Sequence, residues 1–342
     1  MGGRHSLQAY TTIGSRAGAF FGALVLCACG GETEFAEAPV EVKHEMPELY
    51  TSMLEGIGAM KQMRGELAIA VDLKGAMAAL SGAGHSRTLN VVDTLGEVQT
   101  SQLRLAPDGM KAGPVSMLMH ERRVLLLTQH DHKLQRYGFD GKRDGGAVVL
   151  RDVVRLIGIT RDSIDVLLGE RMSQGGIRFA GVGRMAMRGG KARTLLAASQ
   201  LPLGELVAPS DSAAERLFPM VAVDGSTVVI MDLRDGVMRS FGPQGAPPRS
   251  FSPLGGSSTA WSDARSVLGI FFDSSHRLWR FTSDETRIIA DVFAEGETLG
   301  VSTRPCHRAQ AAAVQGEFAA ILCSDRGQVE IFATPTVFNI SG

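Results

Sequence analysis

The chain has 342 residues, of which 44% are hydrophobic and 21% are charged, and its formal net charge is −1. This composition is that of a globular protein that buries a sizeable core. A nearly neutral chain has no electrostatic field that would attract nucleic acid, so a nucleic-acid partner is not expected.

The first 28 residues have the pattern of a secretory signal peptide. Residues 1–16 are polar and contain Arg4 and Arg16 but no acid, and residues 17–28, AGAFFGALVLCA, are almost wholly apolar. A basic head followed by a short apolar run and small residues is typical of such signals. The alternative, a membrane-spanning helix, needs about 20 apolar residues, and this run is shorter. The pattern therefore predicts an exported protein with a signal over residues 1–28.

The end of the apolar run, LCAC at residues 26–29, resembles the lipobox of bacterial lipoproteins. In that signal an aliphatic residue and two small residues precede the cysteine that is lipidated. The resemblance implies that Cys29 carries the lipid, that the mature chain begins there, and that a membrane is a partner through this anchor. Glycines follow at positions 30 and 31, where an Asp would mark retention in the inner membrane, so the resemblance implies the outer membrane. An ordinary secreted protein is the alternative.

Two cysteines, Cys306 and Cys323, remain in the body of the chain, and export places them in an oxidising compartment. Their predicted strands are antiparallel neighbours joined near Gln315 and Gly316, which brings the two sulfurs opposite each other. We therefore predict a disulfide, which closes a short loop and stabilises the fold by about 3 kcal/mol in the loop-entropy model. Two buried free thiols are the alternative.

Two short segments separate the predicted anchor from the main domain. Residues 29–47 are acidic and contain Pro39 and Pro47, which favours an extended, solvated tether. Residues 48–64 place apolar residues at helical spacing and predict a short helix. Methionines at positions 46, 53, 60 and 63 have the soft ligands that copper prefers, but we interpret them as an adaptable face that packs on the main domain.

Residues 65–342 contain a repeated hairpin pattern. Four stretches align without gaps, namely LLTQHDHKLQRY, VIMDLRDGVMRS, IFFDSSHRLWRF and ILCSDRGQVEIF. Each has an apolar strand, a polar turn and a second strand, which predicts a β-hairpin. With two further matches, the turns are anchored at Asp72, Gln129, Glu170, Asp232, Asp273 and Ser324. The stretch around Asp93 fits the pattern as well as the stretch around Asp72, so the register of the first unit stays open.

The spacing of the repeats predicts an all-β fold of the β-propeller class. A unit of roughly 40–50 residues with four strands is what a propeller blade needs. We therefore predict six blades; five, seven or eight blades are the alternatives, and a pair of β-sandwiches comes third. The stretch VLLLTQHDHKLQRYGFDGK resembles the NHL type of propeller repeat. The residues that match the repeat are Leu134, Tyr137, Phe139, Asp140 and Gly141. The resemblance covers about 20 residues and implies a propeller blade there.

The chain has few motifs that carry chemistry. His130, Asp131 and His132 are the best candidate for a metal site, but they occupy a predicted turn, where polar residues are expected in any case. Neither a hydrolase nucleophile elbow nor a dinucleotide, zinc or EF-hand motif is present. No metal or cofactor is therefore predicted, and Trp279 is expected in the core.

Two functional hypotheses follow. The first is a non-catalytic, monomeric module that binds a protein or a glycan through loops at one end of the propeller channel. The second is a metal-dependent hydrolase or lyase whose residues converge in the channel from separate blades. The channel lining distinguishes them: convergent His, Asp or Glu side chains favour the enzyme, whereas Gly, Ser and aliphatic residues favour the binding module.

Overall fold

The structure is a computed structural model that describes residues 68–82, 84–95, 97–110, 115–128, 130–234, 236–242, 249–251, 266–284, 286–294, 297–306, 309–323 and 328–333. All of these residues belong to the unit Glu41–Gly342. The predicted signal peptide, Cys29, the acidic tether and the short helix lie outside the described residues. Within the described ranges, no helix is both long and apolar enough to cross a membrane.

The described residues form six sheets, and all strand pairs in them are antiparallel. The first sheet contains β1 (Ala68–Val71), β2 (Met77–Ser81), β3 (Ser86–Val92) and β4 (Val98–Arg104). The second contains β5 (Val115–His120), β6 (Arg123–Thr128), β7 (Lys133–Gly138) and β8 (Val148–Val149). The third contains β9 (Val153–Thr160), β10 (Ser163–Arg171), β11 (Ile177–Ala186), β12 (Arg193–Ala197) and β13 (Val207–Ala208).

The second half of the chain continues the same arrangement. The fourth sheet contains β14 (Met220–Asp224), β15 (Thr227–Met231), β16 (Met238–Phe241) and β17 (Arg249–Phe251). The fifth contains β18 (Ser266–Phe272), β19 (Leu278–Ser283), β20 (Arg287–Ala294) and β21 (Glu297–Pro305), and the sixth contains β22 (Ala309–Gln315), β23 (Phe318–Cys323) and β24 (Gln328–Ala333). One α-helix, α1 (Asp211–Leu217), lies between the third and fourth sheets among the described residues.

The first strands of the six sheets form a ring. Strand β1 contacts β5, β5 contacts β9, β9 contacts β14, β14 contacts β18, β18 contacts β22, and β22 contacts β1. Sheets arranged around a common axis in this way form a β-propeller, so the predicted fold class is confirmed. Five sheets are complete blades with four or more strands, and the sixth has three strands among the described residues. The predicted count of six blades is therefore not confirmed.

The sheets are buried on both faces because each one packs between two neighbours. All residues of β2 (MAALS) and β19 (LWRFTS) are buried. Burial therefore continues along these strands and does not alternate from one residue to the next. Leu89 of the first sheet belongs to one apolar cluster with Val124 of the second sheet, and Met77 belongs to another with Leu322 of the sixth. The core of the protein is thus a series of apolar layers between adjacent sheets.

Aspartates fix many of the hairpin turns. Asp72 Oδ1 accepts hydrogen bonds from the backbone N–H groups of Lys74 at 2.8 Å and Ala76 at 2.9 Å. Three other aspartates, Asp93, Asp273 and Asp284, likewise accept two backbone N–H groups each. Such a carboxylate replaces the missing backbone partners of a tight turn, which explains why Asp recurs directly after apolar runs in the sequence.

These aspartate turns do not occupy one equivalent position in the blades, contrary to the predicted repeat frame. Asp72 and Asp273 follow the first strand of their sheets, whereas Asp232 follows the second and Asp93 follows the third. The hairpins themselves are correctly predicted. The sequence pattern of an apolar run and a polar turn residue indicates where a hairpin turn lies, but it does not indicate which turn of the blade it is. This is the physical reason for the uneven spacing of the anchors.

The predicted disulfide is present between Cys306 and Cys323, whose Cα atoms are 5.4 Å apart. Cys323 ends β23 and lies opposite Ala309 at the start of β22, as expected for antiparallel neighbours. Both cysteines are buried in one cluster with Trp279, which lies in the core as predicted. The disulfide joins positions separated by 17 residues, and closing a loop of this length stabilises a fold by about 3 kcal/mol.

Replacing the first turn aspartate tests this account of the hairpins. We expect Asp72→Ala to lower the free energy of unfolding by about 2 kcal/mol, because two N–H groups lose their acceptor at about 1 kcal/mol each. Asp72→Asn retains an acceptor oxygen and should lose less than half as much. The measurement is urea unfolding, with the exposed turn variant Asp93→Ala as a milder control. Equal losses for Asp72→Ala and Asp72→Asn would contradict the account.

Candidate functional site

The two ends of the propeller channel differ in what forms them. We define the hairpin end as the end at which the first and second strands of each sheet are joined, at residues 72–76, 121–122, 161–162, 225–226, 273–277 and 316–317. Because neighbouring strands are antiparallel, the described turns between third and fourth strands lie at this end as well. Where they are described, the segments that connect one blade to the next lie at the opposite end, which we call the connection end.

A cavity of about 290 Å³ occupies the channel near the hairpin end. All six first strands contribute to its wall, mostly through their second halves. The wall is largely aliphatic and includes Ile69, Leu118, Ile159 and Val223. Its polar side chains belong to Thr160, Asp224, Asp273, Ser274 and Gln315. Apolar and polar atoms contribute nearly equally to the exposed wall, and a cavity that combines both can hold a small ligand or a single side chain.

The described wall of this cavity contains few groups that could bind a metal ion. In the part of the chain that the structure describes, no group of three or more His, Cys, Asp or Glu side chains could hold a metal ion. Of the two aspartates in the wall, Asp273 is fully engaged within its own blade. Its Oδ2 accepts hydrogen bonds from Arg277 Nε at 2.7 Å and Trp279 Nε1 at 2.8 Å, and its Oδ1 accepts two backbone N–H groups.

A buried ion pair fixes the rim of the cavity across the third and fourth blades. The Asp165 side chain is only 1% exposed, and its carboxylate accepts hydrogen bonds from Thr160 Oγ1 at 2.6 Å and Arg184 Nε at 2.6 Å. Arg184 Nη2 also donates to the carbonyl oxygen of Gly225, at 2.8 Å, in the next blade. Asp165 is desolvated and its carboxylate is bound by Arg184, so the arginine is held in one orientation and fixes the position of this carbonyl.

Asp224, the residue before this anchored glycine, faces the fifth blade. Its Oδ2 lies 2.6 Å from His276 Nδ1, and its side chain is 30% exposed. His276 has a φ of 61°, so the β18–β19 turn holds it in the left-handed region and directs its ring to the neighbouring blade. Asp224 Oδ1 has no hydrogen-bond partner among the described residues. The rim therefore presents one carboxylate oxygen that is available to a ligand.

The predicted cluster at His130, Asp131 and His132 lies away from this cavity, in the turn between β6 and β7. Burial raises the pKa of the Asp131 carboxyl, but hydrogen bonds from Lys133 and Thr128 outweigh it and hold the pKa below its ordinary value. Burial and then the Arg171 guanidinium lower the pKa of His132. The structure thus places the cluster at a turn, where the sequence interpretation expected it. Asp131 binds Thr128 and Lys133, and His132 contacts Arg171.

Sequence reasoning missed Asp165, Arg184 and Asp224. Asp165 and Arg184 are single charged residues inside apolar stretches, SIDVLL and GVGRMAM, on two strands that pair with each other. A lone charge in a buried strand needs a partner of the opposite sign. The single charged residue in each apolar stretch could therefore have predicted this ion pair. Asp224 carries no comparable signal, because its position at the rim depends on how separate blades are placed.

Removing one member of the buried pair tests its role. We expect Asp165→Asn to lower the free energy of unfolding by about 2 kcal/mol, because Arg184, whose side chain is only 20% exposed, is left without its counter-charge. The double variant Asp165→Leu/Arg184→Leu should regain most of this loss, and the exposed Asp162→Asn is the matched control. Chemical unfolding measures all three. A double variant less stable than Asp165→Asn would contradict the assignment of the loss to an unpaired charge.

Comparisons with known proteins give a likeness of fold only. No protein-family model matches the chain, and no curated protein matches it. Among solved structures, the β-propeller domain of Cps50 (Swd1) from Myceliophteria thermophila is 11% identical, with a TM-score of 0.47, covering 79% of this chain and 97% of that chain. BamB from Moraxella catarrhalis is 10% identical, with a TM-score of 0.40, covering 78% and 84%. A DUF4221 family member from Bacteroides vulgatus is 9% identical, with a TM-score of 0.45, covering 80% and 93%. Similarity at this level says nothing about activity.

Proposed function

We propose that the protein is a lipid-anchored, exported β-propeller that binds a partner protein, without catalysis, through the hairpin end of its channel. The observation that carries this proposal is the wall of the channel cavity, which is aliphatic and has no convergent histidines or carboxylates among the described residues. Rigid propellers present their end loops in fixed positions, which suits recognition. Exposed leucines at the hairpin end of the first blade favour a protein over a glycan as the partner.

Three apolar side chains at the hairpin end of the first blade support a protein-binding surface. Leu73 lies in the β1–β2 turn and is 59% exposed, and Leu95 lies in the β3–β4 turn and is 80% exposed. Val98, at the start of β4, is also exposed. The turn chemistry of these hairpins uses the aspartate before each leucine and does not need a leucine at the tip. Exposed apolar groups that folding does not require are typical of interaction surfaces.

Backbone strain at the same end supports the proposal. Glu121 and Arg122 have φ values of 47° and 63° in the β5–β6 turn, and Arg161 has a φ of 54° in the β9–β10 turn. Asn-Gly is the sequence that such two-residue turns prefer. Placing a charged residue in the left-handed region costs about 1 kcal/mol. Charged side chains kept in strained turns around a cavity are consistent with a role in recognition.

The three-stranded sheet β22–β24 is, in this proposal, the sixth blade of the propeller. Its first strand contacts both β18 and β1, and Ala320 and Leu322 of β23 pack in one cluster with Val71 and Met77 of the first sheet. Six sheets around one axis then close the ring and leave the channel at its centre. We propose that the closed ring acts as a monomer.

An acyl chain on Cys29 anchors the propeller to the outer membrane in this proposal. Two or three acyl chains hold a soluble domain on a bilayer at about 0.8 kcal/mol per buried methylene. The Cys306–Cys323 disulfide fits the oxidising compartment that export implies.

Changing the proposed lipidation site tests the anchor. We expect wild-type protein in the membrane fraction, released only by detergent, because acyl chains partition into the bilayer. Cys29→Ser should be exported without an anchor, whereas Cys27→Ser, the matched control, should stay in the membrane fraction. Mass spectrometry of the mature amino terminus identifies the modification. Membrane retention of Cys29→Ser, or an unmodified Cys29 in the wild type, would contradict the proposal.

Paired substitutions at the two ends of the channel test the binding surface. We expect Leu73→Asp/Leu95→Asp to reduce partner capture about tenfold, because charges would replace the apolar contacts that the partner buries. Met110→Asp/Leu217→Asp, which changes two exposed apolar residues in segments between blades, should capture as the wild type does. Cross-linking in intact cells and quantitative mass spectrometry give the measurement. Equal capture by the two double variants would reject the hairpin end.

A further inference from the structure

We propose that the cavity at the hairpin end is a recognition site for an aliphatic side chain and a neighbouring lysine of the bound partner. The aliphatic group enters the channel, and the lysine ammonium pairs with Asp224 at the rim. This inference rests on the proposed binding function and names the chemistry that the partner presents. It is argued from the size of the cavity, the free carboxylate oxygen of Asp224 and the open space beside Gly158.

The cavity fits one side chain in size and character. Its volume of about 290 Å³ lies at the lower end of the range for ligand pockets, so it suits a side chain rather than a nucleotide or a large cofactor. Ile159 from β9, Val223 from β14 and Val314 from β22 belong to its wall and are partly exposed. Ile69 and Val71 also border it, but they pack mainly between the first and last blades. Aliphatic groups from the partner would lose contact with water on entering, which is favourable.

The backbone of β9 leaves space within this wall. A Cβ atom built on Gly158 has no heavy atom within 4 Å, and the φ of Gly158 is not in the left-handed region. A side chain at this position therefore extends into the channel without straining the backbone. The absence of a side chain at Gly158 keeps the channel open to an entering group.

Asp224 supplies the charge at the rim. Asp273 is already saturated by Arg277, Trp279 and two backbone N–H groups, so Asp224 is the wall carboxylate with a free acceptor. One free oxygen suits a compact ammonium, because a guanidinium prefers both oxygens of a carboxylate. Asp224 ends β14, and Ala222 in the deeper wall is two residues away, about 7 Å along the strand. The charge thus lies at the mouth and the apolar wall lies below it.

The charged residues around the rim do not compete with Asp224 for the lysine ammonium. Arg184, which binds the adjacent Gly225 carbonyl, is already neutralised by Asp165. The other charged residues of the first-to-second strand turns do not belong to the cavity wall, namely Asp72, Lys74, Glu121, Arg122, Arg161, Asp162, Arg277 and Glu317. His276 occupies only the Oδ2 atom of Asp224 and is itself largely exposed.

The first experiment measures binding of n-hexylammonium to purified full-length protein by calorimetry, with 1-hexanol and hexanoate as matched probes. We expect the ammonium to bind about fivefold more tightly than the alcohol, and hexanoate to bind weakest, because the carboxylate at the rim attracts only the cation. Asp224→Asn should reduce ammonium binding to the level of the alcohol. Asp162→Asn, which removes an exposed carboxylate outside the wall, should leave all three affinities unchanged. Equal affinities of the wild type for the three probes would overturn the inference.

The second experiment fills the channel. Gly158→Leu should abolish binding of n-hexylammonium and 1-hexanol, because the new side chain occupies the cavity. Gly146→Leu is the matched control, since Gly146 also has no heavy atom within 4 Å of a built Cβ and lies outside the cavity wall. Thermal unfolding checks that both variants fold. Unchanged probe binding by a folded Gly158→Leu variant would overturn the site.

A dipeptide probe identifies the source of the ammonium. Acetyl-Leu-Lys-amide should bind the wild type more tightly than the same dipeptide acetylated at the lysine Nζ, and Asp224→Asn should remove the difference. Binding of n-hexylammonium without binding of the dipeptide would overturn the assignment to a protein partner. Failure of all these probes, with capture still dependent on Leu73 and Leu95, would reject this inference and leave the proposed binding function standing.

Discussion

Val71 and Met77 of the first sheet share an apolar cluster with Ala320 and Leu322 of the last sheet, and the rest of the structure depends on this contact. It brings the two ends of the propeller together, so that the first sheet is buried on both faces. Gly75 makes the approach possible, because a Cβ at this left-handed position would lie 2.9 Å from the Phe318 ring. Without the contact, two apolar sheet faces would be exposed to water.

Closure of the ring also creates the candidate site. The first strands of the sheets surround a channel that no single blade contains, and the aliphatic side chains near its hairpin end form the cavity wall. The buried Asp165–Arg184 pair then fixes the position of Gly225 and so of Asp224, which belongs to a different blade. A rigid rim with an apolar cavity is suited to binding, because little conformational entropy is lost when a partner docks.

Local features of the fold were predictable from the sequence, and features that depend on assembly were not. The hairpins, the Cys306–Cys323 disulfide and the burial of Trp279 follow from turn residues, cysteine spacing and apolar runs. The blade frame was misassigned because Asp72, Asp93 and Asp232 make the same kind of turn at different positions in a blade. Asp224 was missed because three blades build its surroundings, and a linear pattern carries no record of that arrangement.

A crystal structure of the full-length protein tests the central claim, which is closure of the ring around an apolar channel. The account predicts that β22 lies between β18 and β1, that the first strands of all six sheets surround one axis, and that the cavity opens at the hairpin end beside Asp224. A structure in which the β22–β24 sheet packs elsewhere and leaves β1 facing solvent would contradict the fold and the proposed binding site together.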